Sequence, residues 1–135
     1  MSAPIELLKQ VPLFHGLDDK QLETLSRNFT DRTFASGQQV TAEGSGGVGF
    51  FVIESGEATV SVGGDDRGAL GPGDYFGEVA LIDEGARSAT ITATSDLRCY
   101  GLTPWQFRPL VEENASIAWP LLQTMAKRLR EIEGR

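Results

Sequence analysis

The sequence holds one cysteine, Cys99, and one histidine, His15. A single cysteine excludes an internal disulfide. A metal-dependent β-barrel enzyme needs two or three histidines with a carboxylate, and one histidine does not supply that set. A Ser-His-Asp or Cys-His arrangement is equally implausible, because His15 lies in a helical N-terminal stretch. Long apolar runs are missing, so no segment is suited to span a bilayer. No basic-then-apolar leader opens the chain, and the expected location is cytoplasmic. Basic residues are scarce: twelve Lys and Arg stand against nineteen Asp and Glu, a formal net charge of −7. Four of the twelve (Lys127, Arg128, Arg130 and Arg135) fall in the last nine positions. The remainder is more acidic still. That argues against nucleic acid as a partner, since binding a phosphate backbone needs a basic surface. A small anionic ligand gains nothing here from long-range steering, so its affinity has to come from donors placed locally.

Glycine, by contrast, is abundant, and thirteen of the sixteen lie between Gly37 and Gly85. Such a concentration predicts tight turns between short strands. Ala58, Val60 and Val62 alternate with Glu57, Thr59 and Ser61, and Ala89, Ile91 and Ala93 alternate with Ser88, Thr90, Thr92 and Thr94. Period-two patterns of this kind belong to strands with one buried face. Strands are expected over 31–34, 38–42, 49–54, 57–62, 67–70, 88–94 and 97–102. Ser55-Gly56 and Gly63-Gly64-Asp65-Asp66 read as hairpin turns. Many short strands joined in this way predict a jelly roll or a similar barrel.

Helical patterns flank the strands. A short helix is expected over 4–10, with Ile5, Leu8 and Val11 on one face. A second covers 18–28, with Asp18 as N-cap, Gln21 completing a capping box, and Leu22, Leu25 and Phe29 as the buried stripe. Thr103-Pro104-Trp105-Gln106 reads as N-cap, first-turn proline and capping-box glutamine, opening a helix with Phe107, Leu110 and Val111 on its apolar face. The last helix covers 115–133, where Leu121, Leu122, Met125, Leu129 and Ile132 are spaced by three and four. That stripe suits packing on the strands and also a homodimer. Pro120 belongs near the start of this helix or at a bend. Cys99, Trp105 and Trp119 are expected to pack. The 135 residues suffice for one domain and not two. The expected organisation is a helical segment at 1–30, strands at 31–102 and helices at 103–135.

The stretch with chemistry in it runs from Phe76 to Thr90. Gly77 and Glu78 lead into one apolar helical turn, Val79 to Ile82, which Asp83, Glu84 and Gly85 end. A helix start offers unpaired N–H groups and a positive dipole end, both suited to an anion. Arg87 adds a planar cation matched to phosphate oxygens, and Ser88 adds a hydroxyl. Glu78 is an acceptor for sugar hydroxyls. Taken one at a time, these residues also have plainer readings: a surface arginine, a first-turn acid, a turn glycine and a strand serine. The glycine-rich stretch 44–49 lacks the Gly-Lys-Ser/Thr ending of a triphosphate-binding loop.

Phe76-Gly77-Glu78, Ala80-Leu81 and Arg87-Ser88-Ala89 resemble the phosphate-binding cassette of the cyclic nucleotide-binding domain family. That family includes catabolite-activator-like and protein kinase A regulatory-subunit-like members. Gly71-Pro72-Gly73-Asp74 is similar to the family's approach to the cassette, and the N-terminal Val-Pro-Leu-Phe-His-Gly-Leu run to its helical segment. Ala86 departs from the proline many members carry. The resemblance implies a mainly β fold with flanking α-helices, a jelly-roll β-roll (double-stranded β-helix). It implies a regulatory, non-enzymatic module for a 3′,5′-cyclic mononucleotide, cyclic AMP in preference to cyclic GMP. The ligand set it implies is Gly77, Glu78, Val79, Ala80, Arg87, Ser88 and Ala89, with Leu129 toward the base. Ile132 and Glu133 stand where catabolite-activator-like members carry polar base contacts. Output would pass through the C-terminal helices to an effector protein or domain, or to a second copy, with neither DNA nor membrane bound by this chain. The alternative is a fold that has lost its ligand and serves as an interaction domain.

Overall fold

The computed structural model describes residues 3–41, 49–77, 81–82 and 89–134. Among the described residues, eight strands form two four-stranded antiparallel sheets. The first has the order β1 (Thr30–Phe34), β8 (Leu97–Leu102), β3 (Phe50–Ser55), β6 (Tyr75–Phe76). The second has the order β2 (Gln39–Thr41), β7 (Thr90–Ala93), β4 (Ala58–Val62), β5 (Asp65–Leu70). The helices are α1 (Ile5–Leu8), a 3-10 turn Pro12–Phe14, α2 (Asp19–Ser26), α3 (Pro104–Glu113) and α4 (Ala115–Glu133).

The unbroken apolar run Phe50-Phe51-Val52-Ile53 explains the layering. Neighbouring side chains on a strand point to opposite faces, so four apolar residues in a row need cover on both sides. Phe50 and Val52, with Tyr100 and Leu102, face the helices. Phe51 and Ile53, with Leu97 and Cys99, face Ala58, Ile91 and Ala93 of the second sheet. In the second sheet β7 alternates, with Ile91 and Ala93 buried, and Ala58 is the buried residue of β4. Cys99 is fully enclosed between the sheets, and burial pushes its thiol pKa up to about 12.

Local signals place the helices. Asp18 and Gln21 form the expected capping box: Gln21 N–H donates to Asp18 at 2.8 Å and Asp18 N–H donates to Gln21 at 2.9 Å. Thr103 and Gln106 repeat the device at the start of α3. Leu22, Leu25 and Phe29 are buried as their spacing predicts. Pro120 lies inside α4. An N–H at that position would have bonded to the Ser116 carbonyl one turn back. Gln21 Nε2 donates to that carbonyl instead, at 2.7 Å, so the cap of α2 also satisfies the acceptor the proline leaves open.

Three expectations need correction, and one strand was not foreseen. The turn at 63–66 is only Gly63-Gly64, both with left-handed φ (59° and 84°), so β5 starts at Asp65. A two-residue loop of this kind matches the twist of the flanking strands. The strand β6 carries no sequence signal, because two residues are too few for a period and pairing with β3 alone defines it. Trp105 and Trp119 are exposed, at 66% and 64%. Trp105 stands two residues from buried Phe107, and Trp119 two residues from buried Ile117 and Leu121, which turns each about 200° from the core. On α4 only Ile117 and Leu121 are buried, while Leu122, Met125, Leu129 and Ile132 face solvent. Beyond Pro120 the helix turns Gln123, Thr124, Lys127 and Glu131 toward a cleft shared with Pro12, His15 and Gly16.

On the helix-facing side of the first sheet, Arg98 donates to Asp31 at 2.7 Å and lies 3.6 Å from Glu54. The hydrogen bond from Arg98 holds the Asp31 carboxyl below its ordinary value. Burial, followed by a hydrogen bond with Glu54, pushes the Tyr100 hydroxyl up to about 12. A carboxyl with a lowered folded-state pKa stabilises the fold above its unfolded pKa and loses that contribution as pH falls through the folded value. Asp31→Asn should therefore lower the melting temperature at pH 7. The gap to the unmodified protein should close progressively below about pH 4. A gap that stays constant from pH 7 to pH 3 would assign the effect to packing and not to the charge.

Candidate functional site

The segment that carries the chemistry in the sequence connects the two sheets. It leaves the first sheet from β6, which is paired to β3 through Phe51↔Phe76 and Val52↔Tyr75. Two backbone bonds tie the approach to the same strand: Ile53 N–H to Asp74 at 2.8 Å and Gly73 N–H to Ile53 at 2.9 Å. Asp74 also accepts from Gly71 N–H at 2.8 Å, closing the turn before β6. Gly77 follows at φ 86°, a conformation that side chains with a Cβ rarely adopt. Glycine is what permits that conformation.

The segment's far end enters the second sheet. Ala89 leads into β7, which lies between β2 and β4 with Ser61↔Thr90 and Val60↔Ile91 in register. Between the ends, Leu81 is 3% exposed and sits in the helix-side core, while Ile82 is 49% exposed. Both line a cleft with Phe107, Arg108, Val111 and Glu112 of α3. The segment is thus anchored at three places: the edge of one sheet, the interior of the other, and the C-terminal helices.

Of the ligand residues expected from the sequence, the structure describes Gly77, Ala89 and Leu129. Gly77 and Ala89 mark the two ends of the segment. Leu129 lies on α4 with 56% of its surface exposed, outside both core clusters. Glu78, Val79, Ala80, Arg87 and Ser88 lie outside the described residues. Spacing alone gave no notice of the supports beneath the segment. Phe76 stacks on Phe51 with centroids 5.3 Å apart and planes 27° apart, and Tyr75 leans on Phe50 at 6.3 Å. Strand register, invisible in one sequence, creates both pairs. Among the described residues no group of His, Cys, Asp and Glu could hold a metal ion, and no helix is long and apolar enough to cross a membrane.

A family model described as the cyclic nucleotide-binding domain matches residues 31–114, from β1 through α3 and including the whole segment. The chain belongs to that family. It is 32% identical over 131 residues to the cyclic AMP receptor protein of Thermus thermophilus, covering 93% of this chain and 61% of that protein. It is 39% identical over 111 residues to a cAMP-dependent protein kinase regulatory subunit of Eremothecium gossypii, covering 78% of this chain and 23% of the relative. The chain therefore spans less than two thirds of either curated relative. A crystal structure of the N-terminal domain of a transcriptional regulator from Streptomyces coelicolor A3(2) superposes with a TM-score of 0.85 at 30% identity. That match covers 93% of this chain and 94% of the other, so the flanking helices have counterparts as well as the roll. These relatives are regulatory proteins, and the two-sheet β-roll with flanking helices is the family's fold.

Proposed function

We propose that this chain is a regulatory module that binds cyclic AMP without transforming it. The cyclic phosphate lies on the N–H groups of Gly77 to Ala80 and on Arg87 and Ser88, with Val79 and Ala89 lining the same turn. Glu78 accepts from the ribose 2′-hydroxyl. Leu129 of α4 covers the base end. The observation that carries this reading is the anchoring of the segment at its described residues: Gly77 follows β6, Leu81 packs in the helix-side core beside α3, and Ala89 leads into β7, so an occupied segment can bias the C-terminal helices. Two relatives named for cyclic AMP support the choice of base.

The output is carried by α4. Leu122, Met125, Leu129 and Ile132 are spaced by three, four and three, and all are exposed. That is the seam of a helix pair, and a second copy of this chain is the partner that fits it. Residues 121–132 should exchange their amide hydrogens more slowly once cyclic AMP is added, and the linkage needs only about 1–3 kcal/mol. The test is calorimetric titration with cyclic AMP, cyclic GMP and a cyclic dinucleotide, with hydrogen exchange and sedimentation on the same samples. Saturable binding of cyclic AMP at one site per chain, with protection at both 77–88 and 121–132, is expected. No binding of any of the three would leave an interaction domain that has lost its ligand. Binding with protection confined to 77–88 would remove α4 from the mechanism.

A further inference from the structure

We infer that Gly101 and Phe51 are positioning residues for the ligand-binding segment, acting through a strut of packed groups that ends at Gly77. Gly101 lies on β8, directly opposite Phe51 of β3. It does not have the left-handed φ that would call for glycine on backbone grounds. Its reason is space. A Cβ at 101 would lie 2.8 Å from Cε1 and 3.1 Å from Cδ1 of Phe51, closer than carbon atoms pack. The Phe51 ring therefore lies over the bare backbone of β8. It is 2% exposed, with Phe34 edge-on at 6.1 Å on one side and Phe76 stacked at 5.3 Å on the other.

Phe76 is one of only two residues in β6, and Gly77 is the next residue. A strand this short has little backbone pairing to hold its place, so the ring stack contributes a large share of its positioning. A dense core transmits a displaced ring to its neighbours, because no void absorbs the shift. A side chain at 101 would push Phe51 toward Phe76 and tilt the backbone at Gly77. The inference rests on the reading that residues 77–89 hold the ligand, and it concerns residues that never touch it.

The test compares Gly101→Ala, Phe51→Leu, the double variant and Leu25→Val, all in the full chain. Leu25 is buried in the helix-side cluster, whereas Phe51 packs in the other cluster with Phe76 against it, so the Leu25 variant lowers stability without touching the strut. Each protein is checked for a cooperative melt and then titrated with cyclic AMP well below its melting temperature. Gly101→Ala should weaken binding roughly tenfold, while Leu25→Val binds like the unmodified protein. Phe51→Leu should weaken it about threefold, and adding Gly101→Ala in that background should cost nothing further, because the ring it displaces is gone. Amide exchange at 76 and 77 without ligand should be faster in Gly101→Ala. A folded Gly101→Ala that binds as the unmodified protein does, with unchanged exchange at 76 and 77, overturns the strut. If Gly101→Ala does not fold, Phe51→Leu decides alone: weaker binding supports the strut and unchanged binding overturns it. If the unmodified protein binds no cyclic nucleotide, the functional reading falls, and the exchange at 76 and 77 still decides the strut.

Discussion

Replacing Arg87 with alanine is expected to weaken cyclic AMP binding by roughly thirty- to several-thousand-fold, the largest effect of any single substitution on ligand affinity. The chain carries a net charge of −7, so nothing at long range draws an anion toward it. In the proposed site, shielded from water, the cyclic phosphate would have one negative charge to satisfy. Removing one partner of a desolvated charged pair costs about 2–5 kcal/mol, because the remaining charge keeps its desolvation penalty and loses its compensation. Arg87→Lys should recover only part of the loss, since an ammonium lacks the two-pronged geometry that matches two phosphate oxygens. Calorimetric titration at fixed ionic strength measures both. Equal affinity in Arg87→Ala and the unmodified protein would remove residues 77–89 as the phosphate site.

The second large effect is expected at Glu78, and it should depend on the sugar. In its proposed role as acceptor for the 2′-hydroxyl, Glu78 would contribute about 1–3 kcal/mol, the range for a hydrogen bond to a charged group. Glu78→Ala should weaken cyclic AMP by that amount and leave the affinity of its 2′-deoxy analogue almost unchanged. The comparison separates two roles that a single affinity cannot. An acid in the first turn of a helix also stabilises the turn through the dipole, and losing that contribution would weaken both sugars alike. Equal losses for the two ligands would assign Glu78 to the turn and leave the ribose without this partner.

Much of this protein was legible residue by residue. The capping boxes at Asp18 and Thr103 work through contacts three residues apart, so spacing alone specifies them. The alternation in β7 follows from a pleat with one buried face. Phe76-Gly77-Glu78, Ala80-Leu81 and Arg87-Ser88-Ala89 resemble a known family's phosphate-binding cassette, and that resemblance pointed to a cyclic nucleotide module before any coordinates.

Other features depend on residues far apart in the chain. The strand β6 exists because Tyr75 and Phe76 find β3. The spare carbonyl at Ser116 is satisfied by Gln21, ninety-five positions away. The tryptophans and the α4 stripe illustrate the same limit: a helical period says which residues share a face, and only packing says whether that face is covered. Gly101 carries no turn signal, and its importance comes from a ring on the neighbouring strand. By itself the sequence determined the helix starts and the one-sided strands, because these rest on short-range spacing, and it marked 76–90 as the segment that resembles the family's cassette. The tertiary structure alone decided what anchors that segment and which helix face stays open, because those depend on strand register and on packing between elements that the chain order does not place side by side.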